Sequence, residues 1–466
     1  MTPTPGTGHS TEEALPIPSP LQSLAFCCFW VFNLLVGSRI LELRFYTLHI
    51  PLVLGGIAVM GAVLGGGIGR LFRSPIGIWM IALTLLYGAS VPFSSWRTGS
   101  LQVFVGDWLK SALVFVIAAS VVMTLRQSRW ALYSIAMGTA LEVIIVLWNG
   151  TTSYGRLTLT RGTYGNPNEI AGGLLAGLPF LGLMFVDRRA GAVRKLVVGV
   201  AIVAALVVLL RTGSRGGLIG LAAIGLCVFL RVSLPGKVLM ALAAGVLIVI
   251  AGALLPEALA VRYERFFSDT EVTEDNRLSA SNAAAVGAEV GSTLARKELL
   301  LRSLKVTMEH PLLGCGIGQF GAYSAGRDTE AGRHGSWQGT HNSYTQVSSE
   351  TGIPALIAYM AVLVTCLGAV GGCYRRAARI QTARAYEIAN VAYALRTALW
   401  AYAISTLFSY IAYSATLPLI AGLIVGFCAA AKPELALAER EMAEAGVATV
   451  ARAGPGRQPR LNSVMG

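Results

Sequence analysis

The sequence predicts an all-α integral membrane protein with about twelve transmembrane helices and one large loop on a single face. Three observations predict it. The 466 residues are 54% hydrophobic and 13% charged, with mean hydropathy +0.63, whereas soluble proteins are about one quarter charged. Apolar runs close to the ~20 residues needed to cross a bilayer recur along the chain. Basic residues gather in alternate short connections, which are cytoplasmic under the positive-inside rule.

The twelve apolar runs fall at roughly 21–37, 46–68, 75–92, 108–125, 130–148, 168–186, 194–210, 216–231, 236–255, 352–373, 388–408 and 411–430. Several are rich in glycine and alanine, which suits close helix packing in lipid. Arg70, Arg73, Arg126, Arg129, Arg188, Arg189, Arg194, Lys195, Arg231, Lys237, Arg375, Arg376, Arg379 and Arg384 lie in the connections assigned to the cytoplasm. Both termini are then cytoplasmic, and the long segment 256–351 lies on the opposite face. The expected organisation is a cytoplasmic N-terminus (1–20), nine helices (21–255), the large loop (256–351), three helices (352–430) and a cytoplasmic tail (431–466). Because the net charge of +13 follows this alternation, it reports topology rather than a nucleic-acid partner. The stretch before the first helix carries Glu12 and Glu13 and lacks a basic cluster, unlike a cleaved signal peptide. The spacing of the seven cysteines implies neither a disulfide framework nor a zinc site.

Taken in order, residues 1–20 are Pro/Ser/Thr-rich and expected to be disordered. The short outer connection at Trp96-Arg97 carries no legible motif. Between helices five and six, Tyr154 to Glu169 contains Arg161, Tyr164 and the turn Asn166-Pro167-Asn168, which should open the next helix. Arg161 beside that helix start can bind an anion or reach to lipid phosphates. Next, Arg211-Thr212-Gly213-Ser214-Arg215-Gly216 forms a tight outer-face turn. Two arginines between apolar helices are costly in lipid, at least ~2.5–3.5 kcal/mol near the bilayer centre, and call for anionic partners. The turn lacks the lysine and spacing of a nucleotide-binding P-loop.

The large loop opens with Arg262 and Arg265 and an acidic stretch, Asp269 to Asp275, best explained as solvated rather than metal-binding. Residues 277–293 are Ala/Gly/Ser-rich and expected to be mobile. Leu294 to Glu309 alternates Arg296, Lys297, Arg302 and Lys305 with leucines, the pattern of a helix lying on a membrane surface. His310-Pro311 should end it, before a glycine turn, Leu312 to Phe320. That turn is not a dinucleotide loop, since no βαβ pattern flanks it. The polar stretch Gly339-Thr340-His341-Asn342-Ser343-Tyr344-Thr345-Gln346, continuing to Glu350-Thr351-Gly352, stands at the mouth of the tenth helix. His341 can accept a proton near neutral pH; it is the candidate general base, with His334 as a weaker one and capping of a helix end as the alternative role.

Three groups of residues together resemble the O-antigen ligase and polymerase superfamily of bacterial envelope proteins. They are Gly291-Ser292 and Arg296 with His310-Pro311-Leu312-Leu313-Gly314-Cys315-Gly316-Ile317-Gly318-Gln319-Phe320; His341-Asn342-Ser343-Tyr344 with Glu350-Thr351-Gly352; and Arg211 to Gly216 with Gly165-Asn166-Pro167-Asn168. The resemblance covers roughly residues 150–430 and implies a GT-C-like architecture in the bacterial inner membrane with a periplasmic active site. It implies an O-antigen ligase that moves O-polysaccharide from undecaprenyl diphosphate to a sugar hydroxyl of lipid A-core. The polymerase and the protein O-oligosaccharyltransferase of the same superfamily are alternatives, and a lipid-linked substrate transporter is the rival from another class. Under the ligase reading His341 is the base, and Arg161, Arg211, Arg215 and Arg296 clamp the diphosphate. Arg265, Tyr164, Asn166, Asn168, Asn342, Tyr344, Gln346 and Glu350 support them. The partners are the two lipid-borne glycans and membrane lipids. No metal, cofactor or nucleotide is required, because the diphosphate link already stores the energy.

Overall fold

The computed structural model describes residues 17–40, 50–65, 67–153, 155–159, 166–254, 259, 263, 280–335 and 337–453. Its helices are α1 (Pro20–Ser38), α2 (Ile50–Leu64), α3 (Gly69–Arg73), α4 (Pro75–Ser90), α5 (Arg97–Val121), α6 (Leu125–Asn149), α7 (Pro167–Val186), α8 (Ala192–Arg211), α9 (Arg215–Arg231), α10 (Leu234–Leu254), α11 (Ala280–Glu309), α12 (Phe320–Glu330), α13 (Ser343–Ala377), α14 (Ala383–Ser405) and α15 (Thr416–Ala453). A single described hairpin, β1 (Gly150–Ser153) paired antiparallel with β2 (Arg156–Leu159), joins α6 towards α7.

Each of the twelve apolar runs coincides with a helix. Eight described helices, α1, α5, α6, α7, α8, α13, α14 and α15, are long and apolar enough to cross a bilayer, and α2, α4 and the first part of α10 are shorter apolar helices. The chain is a multi-pass membrane protein. Local signals set the helix starts. Ser19 with Gln22 and Thr124 with Gln127 form reciprocal capping boxes. Asn166, Ser214, Asn342 and Thr382 accept backbone N–H groups at the starts of α7, α9, α13 and α14. Pro167 occupies the first turn of α7, where its missing N–H costs nothing.

The core lies where α13, α14 and α15 pack on α4, α5 and α7. Tyr87 of α4 sits at its centre, edge-on to Trp108 of α5 at 4.6 Å and to Tyr413 at 5.2 Å. Trp108 donates its indole N–H to Thr84 at 3.2 Å, so the buried polar atom is satisfied.

Three sequence expectations are corrected. The helix expected from residue 352 begins nine residues earlier, at Ser343, and is broken at Gly352 (φ +88°). The polar motif is therefore its first, buried segment rather than a loop before it. The amphipathic helix begins at Ala280, so residues 280–293 continue a helix instead of a loose stretch. It ends at Glu309, immediately before His310-Pro311, as the sequence implies. The connection at residues 94–100, unmarked by any motif, proves to be a structural partner of the candidate site.

Candidate functional site

A helix break inside a membrane protein frees backbone groups that lipid cannot satisfy, so protein must satisfy them. Here the glycine turn between α11 and α12 does so. Cys315 N donates to Ser349 O at 2.9 Å and Gly316 N to Glu350 O at 2.8 Å, while Ile353 N donates back to Pro311 O at 2.7 Å. Such close backbone approach excludes side chains: a Cβ on Gly314 (φ +64°) would stand 2.2 Å from the Glu350 carbonyl carbon.

The Glu350 side chain completes the join. Buried among apolar groups, its carboxylate accepts from Gly318 N at 2.8 Å, Phe320 N at 3.2 Å and the Tyr413 hydroxyl at 2.6 Å. On the far side of the turn, Ser95 donates through N and Oγ to Cys315 O at 2.9 and 3.0 Å, and Ser100 Oγ donates to Ile317 O at 2.9 Å. Three segments distant in sequence thus close on one another through hydrogen bonds.

The polar motif faces the segment between α14 and α15. Ser343 Oγ donates to Ser409 O at 2.7 Å and accepts from Ile411 N at 3.0 Å. Gln346 Oε1 accepts from Ala412 N at 3.2 Å, and the Tyr344 hydroxyl donates to Ala403 O at 2.6 Å. Asn342 Oδ1 caps α13 by accepting from Tyr344 N and Thr345 N at 2.9 and 3.1 Å. Asn342, Tyr344, Gln346 and Glu350 are all engaged in holding the motif in place.

That scaffold presents His341, which is half-buried one residue before the cap. Its backbone is left-handed (φ +53°), an uncommon conformation outside glycine and one that clusters at functional sites. The Tyr410 ring meets the imidazole edge-on at 5.2 Å. Burial first, and then the positive charge of Arg296, hold its pKa below the ordinary 6.5. Arg296 itself is pushed down, first by burial and then by Arg215. His341, Arg296 and Arg215 therefore form one electrostatic group drawn from α13, α11 and α9.

The α8–α9 turn is built around this group. Arg211 ends α8, Gly213 (φ +58°) turns the chain and Ser214 caps α9 through Gly217 N at 3.1 Å. Arg156 of β2 ties this turn to α7: its Nε donates to Thr212 O at 2.8 Å and an Nη to Asn168 Oδ1 at 3.0 Å. The hydroxyl of Tyr263 donates to Leu210 O at 2.6 Å. Asn166 spends its side chain on Asn168 N. Arg161, Tyr164 and Arg265 lie outside the described residues.

The amphipathic helix α11 turns Leu299 and Val306 inward onto Cys315 and Phe320, and Thr307 meets Ser348 of α13 at 2.8 Å. Leu301, Leu304 and Met308 remain exposed along its outer side, as a membrane-facing stripe requires. The weaker candidate, His334, is exposed, and His310, which follows the end of α11, bonds the Tyr323 hydroxyl at 3.0 Å. Among the described residues no group of three His, Cys, Asp or Glu could hold a metal ion. Sequence reasoning overlooked Arg156, Tyr410, Tyr413, Ser95 and Ser100. Only Arg156 carried a signal, as a second arginine in the loop from which Arg161 was singled out.

Comparison with known proteins finds that residues 200–360 match the family model described as O-antigen ligase. The matched range contains Arg211, Arg215, Arg296, the glycine turn, His341 and Glu350. No curated protein matches the chain.

The hydrogen bonds at Glu350 generate a stability test. Glu350→Gln places an amide NH₂ where three donors point, leaving a buried donor unpaired at a cost of about 1–3 kcal/mol. Tyr413→Phe removes one partner and should cost about 1 kcal/mol. Thermal unfolding of the purified variants checks the order, and a Glu350→Gln protein as stable as wild type would contradict this role.

Proposed function

We propose that the chain, whose residues 200–360 match the O-antigen ligase family model, is a member of that family and is the ligase of the ligase–polymerase superfamily. In this reading it transfers O-polysaccharide from undecaprenyl diphosphate to a sugar hydroxyl of lipid A-core, on the periplasmic face of the inner membrane. The observation that carries the proposal is the grouping of His341 with Arg296 and Arg215 above a broken helix.

The chemistry follows from the charges. Bond cleavage at the anomeric carbon leaves negative charge on the lipid diphosphate, which is stabilised by cations held where that charge develops. Arg215 and Arg296, with Arg211 and Arg161 as further members, suit phosphate oxygens because guanidinium offers paired donors. Together they place positive charge where the dianionic group enters. The acceptor hydroxyl is a poor nucleophile until its proton is removed. His341, kept neutral by burial and the neighbouring Arg296, takes that proton as the sugar oxygen attacks and the lipid diphosphate departs. One displacement inverts the anomeric centre. Neither nucleotide nor metal enters these steps. Asn342, Tyr344, Gln346 and Glu350 position the base by fixing the start of α13, and the exposed leucines of α11 border the entry of lipid substrates.

Complementation of a gene deletion separates the readings. Wild type should restore polysaccharide-bearing lipopolysaccharide, and the deletion should leave long polysaccharide on undecaprenyl diphosphate with bare core on lipid A. A lipid-linked pool stuck at one repeat unit would instead identify a polymerase. If neither pool changes, the ligase reading is wrong, and protein glycosylation or transport replaces it. His341→Ala should lose about 10²–10⁴-fold in transfer rate. His341→Asn is the cleaner variant, since asparagine tolerates the left-handed backbone; unimpaired transfer by either folded variant would remove His341 from the role of base.

The lowered pKa of His341 fixes the direction of pH dependence. A base is active when unprotonated, so activity should disappear as pH falls through a value below 6.5. Removing the repelling charge with Arg296→Gln should raise that midpoint towards 6.5, whatever it does to the maximal rate. A pH–rate profile with the wild-type midpoint above 6.5, or one moved lower by Arg296→Gln, would contradict the electrostatic arrangement.

A further inference from the structure

At the end of the bundle opposite His341, a second basic cluster stands apart from the proposed reaction. Arg215 opens α9 and Arg231 closes it, 231 − 215 = 16 residues or about 24 Å along the axis. The Arg231 guanidinium lies 4.2 Å from the Tyr393 ring centre and donates to Asn390 Oδ1 at 2.5 Å. Arg396 belongs to the candidate span Ala383–Phe408, 396 − 383 = 13 residues or about 20 Å from its start. Its guanidinium stacks 4.6 Å from the Tyr374 ring centre and 5.5 Å from that of Tyr393.

Among the described residues neither guanidinium has a carboxylate within 4.0 Å, whereas the other arginines at this end commonly do: Arg129 and Arg189 share Glu387, Arg194 pairs with Asp187, Arg376 with Glu439, and Arg384 with Glu434 and Glu441. Stacking on tyrosine uses the faces of a guanidinium and leaves its in-plane N–H donors pointing outward. An ionisable residue inside a membrane segment requires a partner, and an arginine in a membrane span marks a functional site by default. The adjoining surface says what that partner is. Leu226, Phe229 and Leu230 of α9 are 58%, 43% and 73% exposed beside Arg231, an apolar wall at the level where acyl chains run. Cations at the helix end with exposed apolar residues along the shaft match a molecule with an anionic head and two hydrocarbon tails.

We propose that Arg231 and Arg396 form a binding site for the phosphate headgroup of an anionic glycerophospholipid, in the leaflet opposite the candidate active site. The lipid's phosphate accepts from both guanidiniums, and its chains lie along α9 between Leu226 and Leu230. Tyr374 and Tyr393 hold the guanidinium planes in place before the lipid arrives. This site neither supports nor requires the transfer chemistry.

The test uses the purified full chain in an uncharged detergent, with thermal unfolding followed as dioctanoyl phosphatidylglycerol is added. Dioctanoyl phosphatidylcholine and inorganic phosphate are the comparison probes. Phosphatidylglycerol should raise the unfolding temperature saturably, and the two comparison probes should not. Arg231→Gln and Arg396→Gln should each weaken the half-saturating concentration about tenfold or more, the effect of losing one charge-assisted contact, and Arg126→Gln, an exposed arginine at the same end, should leave it unchanged. Arg231 is exposed at a helix terminus, so its variant remains informative even if Arg396→Gln does not fold. Absence of a saturable shift, an equal shift with phosphatidylcholine or phosphate, or an undiminished shift in Arg231→Gln would each overturn the proposal.

Discussion

The carboxylate of Glu350 is the contact on which the candidate site depends. A charge-capable group buried in an apolar interior is costly unless its oxygens are occupied. Here two backbone N–H groups of the glycine turn and the Tyr413 hydroxyl occupy them. One side chain therefore joins the large loop, the first segment of α13 and the connection before α15. The carbonyls freed at the Gly352 break are met by Cys315 and Gly316, and the turn's own carbonyls by Ser95 and Ser100. With these polar groups answered from within the protein, eight polar residues and Val347 can enter the bundle ahead of the apolar shaft, and His341 is fixed at their head.

The electrostatics are arranged in the opposite sense. The site brings Arg215 towards Arg296 and Arg296 towards His341, positive charges around a proton acceptor. Such a group concentrates positive charge beside the base. That is a useful property for binding a lipid diphosphate at a membrane surface, where the field is only weakly screened compared with water. The surrounding arginine ties are structural by contrast: Arg156 spans Thr212 and Asn168, and Arg302 spans Glu298, Ser324 and Asp328.

Much of this was legible before any coordinates. Each apolar run read from hydropathy overlaps a helix, eight of the described helices being long and apolar enough to cross a bilayer, and Asn166-Pro167-Asn168 and His310-Pro311 mark a helix start and a helix end because capping and proline act within a few residues. The burial of Ser343 to Thr351 was not legible. Local polarity placed those residues outside the helix, and only the distant segment 409–413 and the glycine turn make their burial affordable. Ser95 and Ser100 escaped notice for the same reason, since their partners lie more than 200 positions away. The residues chosen for chemistry, His341, Arg215 and Arg296, were found through the family resemblance and their odd placement beside glycine turns. The tertiary structure supplied their mutual proximity.

The stereochemistry of the transferred bond tests the central claim most directly. Comparing the anomeric configuration of the polysaccharide's terminal sugar on undecaprenyl diphosphate with that in the newly formed lipopolysaccharide linkage, by the one-bond carbon–proton couplings of both, distinguishes one displacement from two. A direct attack deprotonated by His341 predicts inversion. Net retention would require a glycosyl-enzyme intermediate or an equivalent second displacement, and would contradict the mechanism proposed for this site.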